Sequence, residues 1–210
     1  MIATAICALA CAALVIAEWR GHVTLRLASK MLASLAFVAL GARALGSGGF
    51  GSCVFIGLVL GAAGDIALLG HGKRAFLGGL VLFLGGHLAY VVAIAHREPV
   101  TRWLSDAGPL GLAPIAVGAF VLAVLWPRLG ALRFAVVAYV VVIVAMVVGA
   151  IAATRAEVVP LQFAAGAILF FASDLAVARD RFVASGFSNR AWGLPAYYAG
   201  QLLIAWTATS

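Results

Sequence analysis

Charged residues are scarce in this chain, and their scarcity excludes a soluble fold. Only 10% of the 210 residues are Asp, Glu, Lys or Arg, and 65% are hydrophobic, whereas a soluble domain carries about 25% charged residues. Apolar runs of roughly 17–20 residues recur along the whole chain, which is the length of a membrane-spanning helix. The runs are continuous rather than alternating, which excludes the strands of a membrane barrel. The sequence predicts one all-α integral membrane domain over residues 1–210.

Cysteine is also rare, and its positions exclude a zinc site of the usual kind. Cys7, Cys11 and Cys53 all lie in apolar runs, and no pair has the spacing with histidines that zinc ligands show. Free cysteine commonly behaves as a small buried residue, so we interpret all three as core residues without a redox role. No metal and no cofactor are predicted.

The balance of charge is positive, which bears on the partners of the chain. The net charge is +7, which would suit a nucleic acid, but the cations lie in short loops between apolar runs. Cations in such loops set the orientation of membrane helices and attract anionic headgroups. The predicted partners are therefore membrane lipids and not nucleic acid.

Eight spans are predicted, as a bundle of eight transmembrane helices joined by short loops rich in Gly, Pro and Arg. They cover residues 1–17, 25–42, 50–69, 75–95, 108–126, 132–153, 160–178 and 192–208. The N-terminal run lacks the positive region of a signal peptide, which favours a first span over a cleaved signal. The fifth and sixth spans are almost free of polar groups, so we interpret them as scaffold.

The loops on the two sides of the predicted bundle differ in positive charge. One side holds ten cations: Arg20, Arg26, Lys30, Lys73, Arg74, Arg128, Arg133, Arg179, Arg181 and Arg190. The other side holds four: Arg43, Arg97, Arg102 and Arg155. The positive-inside rule places the first side in the cytoplasm. The sequence therefore predicts a cell-membrane protein with both termini outside.

A faint internal repeat connects the two halves of the chain. The stretches "GDIAL" at 64–68 and "SDLAV" at 173–177 each place an aspartate at the end of a predicted span. Each is followed by a basic loop and a helix with Gly-His-Leu at 86–88 or Gly-Gln-Leu at 200–202. The aspartates are 109 residues apart, close to half the chain. Two parallel four-helix repeats would explain this pattern, and a chance match of short apolar sequences would explain it equally well.

Polar side chains are few within the spans, and they fall at related depths. A charge at the bilayer centre costs about 2.5–3.5 kcal/mol, so ionisable residues there are functional candidates. The candidates are Glu18, Lys30, Asp65, His87, Tyr90, Asp174, Tyr197, Tyr198 and Gln201. With the predicted orientation, these residues fall in the cytoplasmic half or near the middle of the membrane. The pattern predicts one polar cavity that opens toward the inner leaflet.

Taken singly, several of these residues have simpler explanations. His87 could be a hydrogen-bonding contact between helices, Lys30 could snorkel to the interface, and the tyrosines could be interfacial aromatics. Arg179, one turn beyond Asp174, could be its structural partner. The aspartates are the hardest to explain in this way, because a carboxylate in the membrane must be paired or protonated. We therefore expect the functional site at Asp65 and Asp174.

Five motifs, taken in order along the chain, form a more specific pattern than any one of them. They are "SK" at 29–30, "GDIALL" at 64–69, "FLGGLVLFLGGHLAY" at 76–90, "GAILFFASDLAVARDRF" at 166–182 and "YYAGQLLIA" at 197–205. The ordered set resembles the YhhN family of lysoplasmalogenases. The family pattern usually has proline after the lysine of the second span, where this chain has Met31.

The resemblance implies an eight-span membrane hydrolase. Characterised members of the family hydrolyse the vinyl ether bond of lysoplasmalogens and release a fatty aldehyde and a glycerophospho-base. For this chain, the resemblance implies a lysophospholipid substrate, a 1-alkenyl-glycerophosphoethanolamine or -choline, taken from the inner leaflet.

The chemistry of vinyl ether hydrolysis suggests roles for the candidate residues. A proton must reach the β-carbon, and a carboxylate and a water must lie near the oxocarbenium ion that results. One neutral and one ionised carboxylate suit these steps, and Asp65 and Asp174 are predicted to be that pair. His87 would orient water or relay protons, and Lys30 would hold a carboxylate ionised or bind the substrate phosphate. The other predicted substrate contacts are Tyr90, Tyr197, Tyr198 and Gln201.

Two other functions would use the same residues. Asp65, His87 and Asp174 could hold a metal that activates water, although this is a thin ligand set for zinc. Alternatively, a proton-coupled transporter or a lipid-binding membrane protein would use the aspartates to couple protons to substrate movement. A transporter needs access from both leaflets, and the outer half of these spans lacks polar groups, which favours an enzyme.

Overall fold

The computed structural model describes residues 1–46, 48–70 and 72–208. Within this part of the chain the fold is all helical, as predicted, with nine α-helices and short 3-10 segments. The helices are α1 (Ile2–Arg20), α2 (Val23–Gly41), α3 (Gly49–Ala67), α4 (Gly72–Ala95), α5 (Trp103–Ala107), α6 (Leu112–Leu125), α7 (Arg133–Arg155), α8 (Leu161–Phe182) and α9 (Phe187–Trp206). The bundle is that of a multi-pass membrane protein.

Hydropathy, and not length, distinguishes α9 from the other long helical segments that the structure describes. In the described ranges, seven helical segments are long and apolar enough to cross a membrane, and they correspond to the first seven predicted spans. The eighth predicted span is α9, which has 20 residues but is not among the seven. Asn189, Arg190 and Gln201 reduce its hydropathy. Length alone would allow α9 to span the membrane, since 20 residues of helix extend about 30 Å.

The fifth span is more irregular than its apolar sequence predicts. The segment before residue 108 was expected to be a loop, but it contains the helical turn α5, and the regular helix α6 begins only at Leu112. Trp103 holds the turn in place, since its side chain is buried and its Nε1 donates to the Glu98 carbonyl at 3.0 Å. The indole ring lies where a Cβ on Gly149 would approach it to 2.8 Å. The composition of this segment predicted a loop, although the segment contains a helical turn that the buried Trp103 side chain holds in place.

The helix that carries Asp174 extends further than predicted. The sequence placed Asp174 near the end of a span, yet α8 continues to Phe182, whereas α3 ends at Ala67, two residues after Asp65. Arg179 and Arg181 in the last turn of α8 interact favourably with the negative end of the helix dipole. The aspartate is therefore inside its helix, with about two further turns between it and the helix end.

Glycines allow the helices around the site to approach closely. Gly57 and Gly61 of α3 have the small-xxx-small spacing that lets a neighbouring helix approach closely. A Cβ on Gly57 would lie 2.3 Å from the Tyr90 ring of α4, so the glycine creates the space for this tyrosine. Between α8 and α9, a Cβ on Gly166 would lie 2.8 Å from the Gly200 carbonyl oxygen. These contacts fix the two helix pairs that carry most of the candidate residues.

Candidate active site

A cavity of about 470 Å³ extends into the bundle from the ends of α1, α2, α8 and α9. This volume is within the usual range for small-molecule sites. Asp65 and Asp174 both lie on its wall. One face of α7, formed by Val136, Val140 and Ile143, supplies an apolar wall, because residues three and four apart share one side of a helix. The cavity therefore combines carboxylates with a surface suited to a hydrocarbon chain.

Asp65 has a positively charged partner. Its Oδ1 lies 3.2 Å from Lys30 Nζ, and both side chains are largely buried, at 4% and 12% exposed. Ser34, one turn after Lys30 on α2, donates to Oδ2 at 2.7 Å, and the Tyr198 hydroxyl lies 3.4 Å from the same oxygen. The Asp65 carboxyl group is thus in contact with one ammonium group and two hydroxyl groups.

Asp174 has a different set of partners. The Tyr139 hydroxyl of α7 donates to Oδ2 at 2.8 Å, and His87 Nε2 lies 3.4 Å from the same oxygen. Arg179, the structural partner suggested by the sequence, instead donates to Asn189 Oδ1. The contacts of Asp174 are thus with a hydroxyl and an imidazole, where Asp65 has an ammonium group.

His87 is fully buried behind Asp174, in an aromatic setting. Its ring stacks on Phe170 with centroids 4.2 Å apart, and its Nδ1 lies 2.7 Å from the Phe83 carbonyl oxygen. A carbonyl can only accept a hydrogen bond, so this contact assigns a proton to Nδ1. In the neutral ring Nε2 is then an acceptor, and it faces the Asp174 carboxyl group.

The predicted substrate contacts divide into two groups. Lys30 and Tyr197 line the cavity. Tyr90, Tyr198 and Gln201 are buried behind its wall, where the Tyr90 hydroxyl donates to Gln201 Oε1 at 2.6 Å. This hydrogen bond connects α4 with α9, and the Tyr198 hydroxyl lies 3.4 Å from Asp65 Oδ2.

Sequence reasoning missed Tyr139 and Ser34, each of which donates to one aspartate. Tyr139 was overlooked because its span is otherwise apolar and was interpreted as scaffold. Comparing the positions of polar residues along the predicted spans would have identified Tyr139, since it comes early in an even-numbered span, as Lys30 does. Ser34 gave no signal in the sequence beyond lying one turn after Lys30.

The contacts of the two aspartates repeat along the chain. Tyr139 lies 109 residues after Lys30, and Asp174 lies 109 residues after Asp65. In each half, the second span therefore contributes a side chain that contacts the aspartate of the third span. Corresponding contacts at one offset favour the two-repeat explanation over a chance match of short motifs.

The described side chains do not form the metal site that was considered as an alternative function. In the described ranges of the chain, no group of three or more His, Cys, Asp and Glu side chains is arranged to hold a metal ion. Asp65 is engaged by Lys30 while His87 faces Asp174. The three residues considered as ligands thus belong to two separate pairs.

Fold and cavity define a multi-pass membrane protein with a carboxylate site beside an apolar wall. The YhhN family model matches residues 25–208, and the chain belongs to the YhhN family. Lysoplasmalogenase TMEM86A of Bos taurus is 32% identical over 161 residues, which cover 74% of this chain and 64% of that protein. Its Homo sapiens counterpart is 31% identical with the same coverage. The chain thus matches less than two thirds of the length of these relatives. No solved structure matches the chain.

Proposed function

We propose that this chain hydrolyses the vinyl ether bond of a lysoplasmalogen to a fatty aldehyde and a glycerophospho-base. The observation that carries the proposal is the pair Asp65 and Asp174 on one cavity, each with different partners and beside an apolar wall. Unequal environments are what two carboxylates need in order to act as acid and anion in one reaction. Family membership and the lysoplasmalogenase name of two relatives support this reaction.

Asp174 is the proposed general acid. His87 Nε2 faces its Oδ2 at 3.4 Å with a lone pair, so a protonated carboxyl group fits this contact better than an anion does. In the first step the proton leaves Asp174 and bonds to the β-carbon, and the π electrons of the double bond form the new C–H bond. Positive charge then develops on the ether oxygen and the α-carbon.

Asp65 is the proposed anion. The Lys30 ammonium group at 3.2 Å keeps it ionised, and the carboxylate stabilises the oxocarbenium ion. Water then attacks the α-carbon, and the Asp174 carboxylate left by the first step accepts the proton that the water loses. The hemiacetal collapses when its hydroxyl loses a proton and the glycerol oxygen gains one. One water is consumed, and the acid is restored to its first protonation state.

The cavity wall suggests how the substrate lies. The alkenyl chain follows the apolar face of α7, next to Val121 and Leu125 of α6. Of the predicted polar contacts with the substrate, only Lys30 and Tyr197 line the cavity, and these two are proposed as direct contacts. The residues buried behind the cavity wall are proposed to hold Lys30 and Tyr197 in position without touching the substrate. They are Tyr90, Tyr198 and Gln201.

Purified protein is expected to release aldehyde from 1-alkenyl-glycerophosphoethanolamine and not from its saturated 1-alkyl analogue. The saturated ether has no double bond to protonate, so it cannot form the oxocarbenium ion by this route. Aldehyde is measured by coupled reduction with a nicotinamide cofactor. Absence of aldehyde from every lysolipid, together with proton flux in proteoliposomes, would favour a transporter instead.

The proposed orientation places the basic ends of α1, α2, α8 and α9 in the cytoplasm. We expect an impermeant maleimide to label Ser105→Cys in intact cells and to label Ser185→Cys only after permeabilisation, in a background without the native cysteines. Both positions are exposed, and they fall on opposite sides of the predicted topology. Labelling of Ser185→Cys in intact cells would show that the orientation is the reverse of the one proposed.

A further inference from the structure

Five charged side chains line the cavity near the point where α1, α2, α8 and α9 meet. Four of them, Glu18, Arg26, Asp180 and Arg190, are connected by ion pairs and form the charged rim. The fifth, Arg181, places its guanidinium group over the Phe76 ring. Arg190 Nη1 donates to Glu18 Oε2 at 2.9 Å. Arg26 Nη1 approaches the same oxygen at 4.0 Å, and Arg190 Nη2 lies 3.9 Å from Asp180 Oδ2. Both signs of charge are therefore present around one opening.

The contacts within the charged rim leave donors available. A guanidinium group has five N–H donors, whereas Arg26 and Arg190 share a single oxygen of Glu18. Arg26 Nε is buried and has no hydrogen-bond partner in the part of the chain that the structure describes. Two of the three ion pairs have N–O distances of about 4 Å between partly buried side chains, which is longer than a hydrogen bond. Asp180 also accepts hydrogen bonds at Oδ1 from Gly186 N at 2.9 Å and from Asn189 Nδ2 at 3.0 Å, so its Oδ2 is the oxygen that takes part in the rim.

The distance between the charged rim and the aspartates matches the distance between the phosphate and the vinyl ether in the proposed substrate. Arg26 comes one turn before Lys30 on α2, which separates their Cα atoms by roughly 6 Å along the helix axis. In a lysoplasmalogen, five bonds join the vinyl ether oxygen to the phosphorus, which is also roughly 6 Å at standard bond lengths. With the vinyl ether at the aspartates, the phosphate therefore reaches the level of Arg26 and Arg190.

We propose that the charged rim binds the zwitterionic headgroup of the substrate. Arg26 and Arg190 bind the phosphate, for which guanidinium groups are well suited, and Glu18 and Asp180 face the positively charged base. This inference rests on the proposed function and identifies the headgroup subsite. Lys30 is not the phosphate ligand in this arrangement, because its ammonium group is held by Asp65 at 3.2 Å.

Two substrates test this proposal, one with the phosphate and one without it. Arg26→Gln and Arg190→Gln are each expected to raise KM for 1-alkenyl-glycerophosphoethanolamine roughly 10-fold or more, the usual loss for a hydrogen bond to a charged group. KM for 1-alkenylglycerol, which has no phosphate, is expected to change much less. Inhibition by the product glycerophosphoethanolamine gives a second readout, with Ki rising by the same factor. Arg26→Lys and Arg190→Lys keep the charge and should restore part of the affinity.

Arg20→Gln is the matched control, because Arg20 is an exposed arginine at the end of α1 that does not line the cavity. It is expected to leave both KM values and the product Ki unchanged. If the rim variants alter both substrates equally and Ki stays constant, the arginines are structural and the headgroup subsite is wrong. If the unaltered protein releases no aldehyde from either substrate, the proposed function fails instead.

Discussion

Asp65→Asn and Asp174→Asn are each expected to lower turnover about 10²–10⁴-fold, the range for positioned acid–base groups. Asparagine keeps the size of the side chain and can still form hydrogen bonds, but it can neither deliver nor accept the proton. KM should change much less, because the alkenyl chain and the headgroup are bound by other residues. The measurement is steady-state aldehyde release by variants that are folded in detergent.

Asp106→Asn is a suitable control for the aspartate variants. Asp106 is on α5, and the structure shows hydrogen bonds to its Oδ1 from Ser105 and to its backbone carbonyl from Arg155, well separated in sequence from the site residues. Its substitution should leave turnover unchanged. Near-native turnover in both site variants would end the catalytic assignment. Loss of activity with EDTA that one added metal restores would replace the metal-free mechanism.

Lys30→Met is expected to lower the free energy of unfolding by about 3–5 kcal/mol, because it leaves a buried carboxylate without its partner. The Lys30–Asp65 contact is 3.2 Å and both side chains are largely buried. The double variant Lys30→Met/Asp65→Asn should regain most of the loss, since no unpaired charge remains. Stability is measured by thermal unfolding in detergent, with Lys73→Met at an exposed position as control.

The same lysine variant separates two roles that the sequence left open. If Lys30 keeps Asp65 ionised, Lys30→Met lowers kcat with little change in KM, whereas a phosphate ligand would affect mainly KM. The ion pair with Asp65 and the position of the charged rim favour the first result. A rise in KM with unchanged kcat would instead show that Lys30 binds the phosphate of the headgroup.

Most of the helices could be predicted from the sequence because the membrane imposes a simple rule. Continuous apolar runs give spans, and this rule located seven of the helical segments. It failed around Trp103, where a loop composition contains a buried turn held by a contact with Gly149. It also ended α8 too early, because Arg179 and Arg181 were taken as signs of a loop when they belong to the last helical turn.

The site was predictable in part, because carboxylates stand out in an apolar sequence. The positions of Asp65 and Asp174 on one cavity follow from their related depths. Their partners do not, because a sequence shows which side chains lie at one level but not which helices are neighbours. Thus Lys30 was left with two roles, and Tyr139, in a span interpreted as scaffold, was overlooked.

The polarity of α9 has a consequence for how the chain enters the membrane. A helix with Arg190, Asn189 and Gln201 gains little from lipid alone, since polar residues weaken insertion. Its neighbour α8 offers a tight fit at Gly166 and Gly200, so the two helices are best inserted together, as a hairpin. Tyr197 and Arg190 reach the cavity only with α9 in place. The cavity of a nascent chain is therefore complete only after α9 has left the ribosome and packed against the earlier helices.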